Sequence, residues 1–335
     1  MACSLFGGPC LRPGCLWPCP APDGGRIDPV GAGVNIQTRR KVMTLILFST
    51  TDLEGHRGLE FAQLLISIER NVRNGADVRL YVLLQNCASA KLAKLRKWVP
   101  PYCRLTAVAG RCSLSTARNR LIAAALAEAV PDNDDVIGFP DDDCWYPDHV
   151  GTSLADTFAT LPDLDVLICR VKRQPDDEPI EAEEVRQAAV REVVRLTTSN
   201  SMFVRGSVFL RVGEFDPDLG VGTVNGGGED TDYAIRALLA AGRAGMVNRP
   251  LIAHPEPDQA SAAKYYRGAL IVLARHAGRR PALMFEFLRK LLVGGYFVLR
   301  RKLSPRLLLG AFSAAGRNFL SDASQPLHLG SKAFR

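Results

Sequence analysis

The sequence predicts an α/β protein, with a mostly parallel central sheet flanked by helices and a helical extension at the C-terminus. Two observations carry this. From Val42 to about Val171, short apolar runs alternate with segments of helical periodicity, the pattern of a sheet covered by helices on both faces. The first such run, Val42 to Phe48, is apolar on both faces, as a central strand requires. A chain of 335 residues, 47% hydrophobic and 23% charged, also has the size and composition to bury a substantial core.

In order, the strand Val42 to Phe48 runs into a polar turn, Ser49-Thr50-Thr51-Asp52, at the sheet edge where α/β proteins bind ligands. A helix follows with Leu59, Phe61, Leu64, Leu65 and Ile68 at apolar positions, ending near Asn74-Gly75. Val78 to Leu84 is the second strand, and a basic helix from Lys91 to Trp98 stops before Pro100-Pro101. A third strand, Arg104 to Ala109, leads to an Ala/Leu-rich helix capped by Ser113 or Ser115. The first-turn amides of that helix and Arg118 together form a candidate anion site, a capped helix with solvated arginines being the plainer alternative. Val136 to Phe139 is a buried strand, Pro147 to about Leu161 a helix, and Asp165 to Val171 a strand. Residues 172–196 are charged and amphipathic and read as a helix or loop lying over the sheet rather than in its core. Thr198 to Arg205 reads as a short strand and Phe209 to Phe215 as a helix or turn. A helix with Ile235, Leu238 and Leu239 on one face ends at Gly242, and Met246 to Ala253 is the last strand.

The net charge of +7 is unevenly placed. Lys264 to Arg335 carries 14 Lys/Arg against Glu286 and Asp322, a balance of +12, which leaves −5 for the rest. An acidic body with a basic tail argues against nucleic-acid binding and for a domain with a surface-seeking end. Residues 1–40 are rich in Cys, Pro and Gly without periodicity and read as disordered, with Met43 a candidate start. Cys3, Cys10, Cys15 and Cys19 form no C-x-x-C pair, so a zinc site there is poorly supported. The other cysteines sit mostly beside apolar residues, as reduced thiols of a cytoplasmic protein do. There is no long uncharged apolar run of transmembrane length and no signal-peptide pattern.

Two acidic constellations carry the chemistry. Asp141-Asp142-Asp143 follows the apolar run directly, and two like charges in contact cost about 1 kcal/mol even in water. A divalent cation such as Mg²⁺ or Mn²⁺ would offset that repulsion, and in an extended segment Asp141 and Asp143 face one side while Asp142 faces the other. A solvated acidic turn is the competing reading at this point. The second constellation begins with the glycine-dense loop Gly220 to Gly228, an adaptable lip that runs into Glu229-Asp230-Thr231-Asp232 at a helix start. Asp230 is either a helix cap or a general base. His254, after the last strand, is a structural histidine or a third metal ligand.

This ordered set resembles the family 2 glycosyltransferases, which have the GT-A type fold, over about residues 42–255. The Thr50-Thr51 turn, the Ala117-Arg118-Asn119 helix, Asp141 to Asp143 as a D-x-D metal motif, the Gly228-Glu229-Asp230 segment and His254-Pro255 carry the resemblance. Gln85-Asn86 departs from it, standing where many members have an Asp that contacts the nucleotide base. The resemblance implies a glycosyltransferase domain over 41–258 and a basic helical extension over 259–335. It implies a hexosyl transfer with inversion, from a nucleotide-diphosphate sugar to a hydroxyl of a glycan or lipid-linked acceptor. Thr50, Thr51, Arg118, Asp141 and Asp142 would lie on the donor side, and Gly227, Gly228 and Glu229 on the acceptor side. Asp143 and His254 would hold Mg²⁺ or Mn²⁺, and Asp230 would be the base. Resemblance to transferases of bacterial surface-polysaccharide assembly implies a cytoplasmic protein in peripheral membrane contact through its C-terminal segment. The rivals are a nucleotidyltransferase, which would want a Gly-rich basic loop where Thr50 to Gly55 is acidic, and a non-catalytic sugar-nucleotide-binding scaffold, which would need no base.

Overall fold

In the computed structural model an eight-stranded sheet organises the chain; the structure describes residues 43–322 apart from 53, 56, 177 and 256–264. The first half alternates β1 (Leu45–Asp52), α1 (Gly58–Arg73), β2 (Val78–Gln85), α2 (Ser89–Leu95), β3 (Cys103–Ala107), α3 (Leu114–Glu128) and β4 (Val136–Gly138). After α4 (Val150–Thr160) come β5 (Val166–Lys172), β6 (Arg186–Gln187), α5 (Val190–Leu196), β7 (Met202–Arg205) and α6 (Gly206–Val212). Then follow α7 (Glu229–Ala240), β8 (Ala244–Ala253) and three further helices, α8 (Tyr266–His276), α9 (Pro281–Leu299) and α10 (Pro305–Asp322).

The strand order is β3-β2-β1-β4-β7-β5-β8-β6. Six strands share one direction; β7 runs against β4 and β5, and β6 against β8. Successive strands add outward from β1 on one side, whereas β4 pairs on its other side, so the order reverses between β1 and β4. That switch point opens a crevice at the C-terminal strand ends, the place for a ligand in this architecture. Beneath it the core is aromatic. Phe139 packs edge-on against Phe215 and Tyr233 at 5.0 and 5.1 Å, and Phe215 stacks on Tyr233 at 4.4 Å.

Several expectations are corrected in detail. β1 continues through Thr50 and Thr51 to Asp52 because each residue finds a partner on β2, so this segment is strand rather than turn. Leu59, expected on the apolar face, is exposed at the first turn of α1. Residues 199–201 form a single tight turn before β7, since Ser201 Oγ accepts the Thr198 N–H and breaks the strand there. The charged stretch over 172–196 does contribute to the core: Ile180, Val185, Ala188 and Val193 are buried, with β6 pairing on β8. Its apolar residues are spaced among charges that stay outside, which masked them in a one-dimensional pattern. The expected disordered segment 1–40 and the boundary at 258/259 lie outside the described residues.

The C-terminal helices pack on the domain. Val272 and Leu273 of α8 and Leu283 of α9 bury with Ile235 of α7 and Leu219, while Leu270 and Ala274 form a second cluster with Leu303 and Ala311. Among the described residues no helix is long and apolar enough to cross a membrane.

Candidate active site

Directly after β4, Pro140 cannot donate to a sheet ladder, and the chain leaves the sheet at Asp141. A reciprocal clamp holds that carboxylate. The Asp141 N–H donates to Asn200 Oδ1 at 2.6 Å, and Asn200 Nδ2 donates back to Asp141 Oδ2 at 2.9 Å. Asn200 and Ser199 were not singled out from the sequence; the polar run Thr198 to Ser201 inside an expected strand was the available signal.

Arg118 joins the two acidic constellations. Its guanidinium is 2% exposed and lies 5.0 Å over the Phe215 ring. One arm donates to Asp141 Oδ1 at 3.0 Å and the other to Asp230 Oδ1 at 2.7 Å. Burial opposes the charge, but Asp230, Asp141 and Glu229 outweigh it and raise the guanidinium further. The anion site expected at the start of α3 is therefore committed within the protein. Arg118 is taken by carboxylates, Ser113 Oγ accepts the Thr116 N–H, and the Leu114 N–H donates to Val221 O in the glycine loop. Ser113, not Ser115, is the cap; Ser115 Oγ instead donates to Leu219 O, tying α3 to the lip.

Asp142 turns away from this group. It accepts from Thr51 Oγ1 at 2.7 Å and from Arg57 at 2.6 Å, and the same Arg57 nitrogen reaches Asp143 Oδ2 at 3.0 Å. Thr51 is buried in that contact, while Thr50, one residue earlier on β1, is half-buried. Asp141, Asp143 and His254 converge, each with one ligand atom within 4.8 Å of the others. His254 is placed by its N–H to Lys172 O, next to the bridge between Trp145 and Ala253. Its Nε2 lies 3.3 Å from Asp143 Oδ1 and 4.0 Å from Asp141 Oδ2. Asp143 Oδ1 is buried, and at that separation the pair is an electrostatic contact rather than a well-directed hydrogen bond. A buried, hydrogen-bond-deficient carboxylate oxygen beside a second carboxylate and an imidazole is a donor set that fits a divalent cation.

The electrostatics are those of a crowded acidic site. Burial pushes the Asp141 carboxyl up, helped by Asp230 and Asp143 and opposed by Arg118 and Asn200. Burial acts the same way on Asp143, but His254 and Arg57 win and leave it below the usual carboxylate range. Burial would lower His254; Asp143 and Asp141 hold it above its ordinary value. Beside Asp143 a cavity of about 530 Å³ opens, lined by Glu60, Gln63, Trp145, Arg173 and Pro255.

On the other side, α7 starts at Glu229 with Gly228 as its cap at φ +97°, so Asp230 sits one turn position inside rather than capping. Asp230 Oδ2 accepts the Ser199 N–H at 3.0 Å. Gly228 needs its positive φ, and a side chain there would strike the backbone of Gly268 on α8. Gly227 lies against the Tyr265 side chain, which an added Cβ would strike. The helix start is further locked by Asp232, which is buried against His276 Nε2 at 2.8 Å and Arg236 at 2.8 Å. Against the burial that would raise it, Arg236 and His276 hold its carboxyl far below the usual range.

Glu229 is 6% exposed, and burial, with Asp230 adding to it, pushes its carboxyl up to about 7. The folded state then binds this proton more tightly than the unfolded chain, so stability falls as pH rises from about 4.5 to about 7. Glu229→Gln removes that dependence. Relative to wild type the variant should gain up to about 3 kcal/mol at pH 8 and little at pH 5, read by denaturant unfolding at both values. An equal difference at the two pH values would mean that Glu229 is ionised throughout.

At the outer end of the crevice the departure at Gln85-Asn86 has a structural answer. Asn86, at φ +52°, donates to Asp52 Oδ1 at 2.7 Å, and Gln85 Oε1 accepts the Cys112 N–H. Asp52 is thereby the carboxylate at the C-terminal ends of β1 and β2, with Arg111 3.6 Å away.

The architecture has solved counterparts. S. aureus TarS, a glycosyltransferase, superimposes with a TM-score of 0.53 at 13% identity, over 83% of this chain and 54% of that one. A fragment of TarS comprising its residues 1–349, in complex with UDP-GlcNAc, gives 0.51 at 12% identity, over 84% and 91%. The fold is GT-A. The same fragment in complex with UDP matches equally, at 0.51 and 12%. This chain therefore spans about half the length of the longer TarS chain and most of the fragment. No protein-family model and no curated protein matches the sequence. Within this fold, Asp141 to Asp143 fall at the switch point and Glu229-Asp230 face them across Arg118.

Proposed function

We propose that this protein is a metal-dependent, inverting glycosyltransferase of family 2, moving a hexosyl group from a nucleotide-diphosphate sugar to a hydroxyl of a glycan or lipid-linked acceptor in polysaccharide or glycoconjugate biosynthesis. The observation that carries the reading is the single cluster in which Asp141, Asp143 and His254 meet and Arg118 ties Asp141 to Asp230. This supports a candidate cation site and a candidate base lying side by side at the C-terminal edge of a GT-A sheet. The TarS fragment solved with UDP-GlcNAc and with UDP supports a nucleotide-diphosphate sugar as donor.

In this reading Asp143 and His254, with Asp141 beside them, would hold Mg²⁺ or Mn²⁺, which would supply positive charge to neutralise the diphosphate leaving group. Asp230 accepts the proton of the acceptor hydroxyl as its oxygen attacks the anomeric carbon. The new C–O bond forms as the bond to the diphosphate oxygen breaks on the opposite face. One base suffices for such a displacement, whereas a retaining glycosidase needs two carboxylates about 5 Å apart as nucleophile and acid/base. Gly227, Gly228 and Glu229 shape the acceptor side. Thr50 and Asp141 face the donor, and Thr51 and Asp142 serve it by holding Arg57 and Asp143 in place. The buried free thiols Cys87, Cys103, Cys144 and Cys169 fit a cytoplasmic setting.

The test is calorimetric titration of nucleotide diphosphates and their sugars with and without Mn²⁺. Wild type should bind one of them more tightly with metal, and Asp143→Ala should abolish that difference. Identical affinity with and without Mn²⁺ in the wild type would remove the cation from the mechanism. Proton NMR of the transferred sugar's anomeric centre distinguishes inversion from retention.

A further inference from the structure

The helix α9 has its polarity reversed. Its ionisable residues are turned inward: Glu286 is buried against Arg195 of α5 at 2.5 Å and Arg289 at 2.8 Å, and Lys290 is half-buried over the Tyr266 ring. Its outward face is apolar. Phe285, Leu288, Leu292, Tyr296 and Leu299 are each between 50 and 83% exposed. Spaced three and four apart, they form one stripe along the helix. Of the charged residues of α9, Glu286 is buried and Arg289 and Lys290 are half-buried, so none stands on the apolar stripe. A soluble helix has the opposite arrangement, and a contiguous apolar face of this length marks a docking surface.

Charge selects the occupant. The turn that follows presents Arg300, Arg301 and Lys302 to solvent, and Arg306 is exposed at the start of α10, within a C-terminal segment of balance +12. A second copy docked on this face would bring two such segments together and be repelled. An anionic surface would be attracted, and apolar side chains bordered by Lys and Arg are the composition of an interfacial helix. Spanning is excluded for α9, with Glu286, Arg289 and Lys290 in its middle.

We propose that the exposed face of α9 docks on anionic lipid, with Arg300, Arg301, Lys302 and Arg306 at the headgroups. α9 is fixed to the rest of the site: Tyr266 Oη donates to Lys290 O, and Gly294 lies against the Tyr266 ring, one residue from the Tyr265 that packs on the glycine lip. Membrane contact at α9 therefore sets the position of the acceptor side relative to the bilayer. Resting on the transferase reading, this assigns the acceptor to a saccharide carried on lipid.

The experiment is co-sedimentation of the full chain with vesicles of phosphatidylglycerol mixed in phosphatidylcholine, and of phosphatidylcholine alone. Wild type should sediment with the anionic vesicles, and high salt should weaken this. The double variant Leu288→Glu/Leu292→Glu should bind about tenfold or more weakly, as should Arg301→Glu/Lys302→Glu. Circular dichroism melts check that the variants fold. Absence of anionic-vesicle binding by the wild type, equal binding by the variants, or a wild-type dimer that Leu288→Glu/Leu292→Glu converts to monomer would each overturn the assignment. Nucleotide-sugar affinity of the same variants, expected unchanged, reports separately on the catalytic reading.

Discussion

Asp230→Asn is expected to lower turnover by about two to four orders of magnitude, the usual contribution of a positioned general base, while donor affinity stays near that of wild type. The substitution is nearly isosteric, so the start of α7, capped by Gly228 and locked by Asp232, should hold its place. An amide cannot serve both donors that the carboxylate now accepts, Arg118 and the Ser199 N–H. One of them is left short, which costs roughly 1–3 kcal/mol of stability. That loss is readable by denaturant unfolding and separates a folding defect from a catalytic one. Because Asp230 does not belong to the Asp141–Asp143–His254 group, metal-dependent donor binding should survive. Steady-state kinetics with saturating donor and acceptor provide the readout. Wild-type turnover would place the base elsewhere. Glu229, whose carboxyl sits near 7, has a suitable proton affinity, but at 6% exposure it is closed to an acceptor hydroxyl.

The sheet was legible because its strands are continuous apolar runs separated by helices with clear periodicity. β1, β2, β5 and β8 are each buried along most of their length, and that burial is written into their composition. What escaped was set by long-range pairing. Two-residue β6 carries no pattern of its own and exists because β8 offers it an edge. The two acidic constellations were also legible, since clustered carboxylates and dense glycine are rare enough to stand out locally. Their connection was not. Arg118 is 23 residues from Asp141 and 112 from Asp230, and nothing local distinguishes a buried bridging arginine from a solvated one. Asn200 escaped for the same reason, 59 residues from the aspartate it clamps. The reversed polarity of α9 was equally hidden: sequence marks the helix as apolar and basic, but only packing decides that its charges point inward.

Arg118→Met should be the most destabilising single change in the site, by about 3–5 kcal/mol, because removing one partner of a buried ion pair strands the others. Met fills the volume over Phe215 without the charge, so the measured loss reports on electrostatics rather than on a cavity. In wild type the guanidinium fork holds Asp141 and Asp230 at 3.0 and 2.7 Å; without it the two carboxylates face one another with Glu229 close by. The affinity of Asp141 for its proton must then rise in the folded state beyond what burial already imposes. A carboxyl raised on folding, as that of Asp141 is, stabilises at low pH and destabilises above it, so the deficit of Arg118→Met should be largest at pH 7 and above and shrink toward pH 5. Arg118→Lys should fall between, since a single ammonium cannot bridge two carboxylates as a planar fork does. Denaturant unfolding of the three proteins at pH 5 and pH 8 tests the argument. A pH-independent deficit would mean that Arg118 acts through packing on Phe215. If Arg118→Met also loses transfer while still binding nucleotide, the arginine's part in catalysis is to hold the candidate base at a set distance from the donor side.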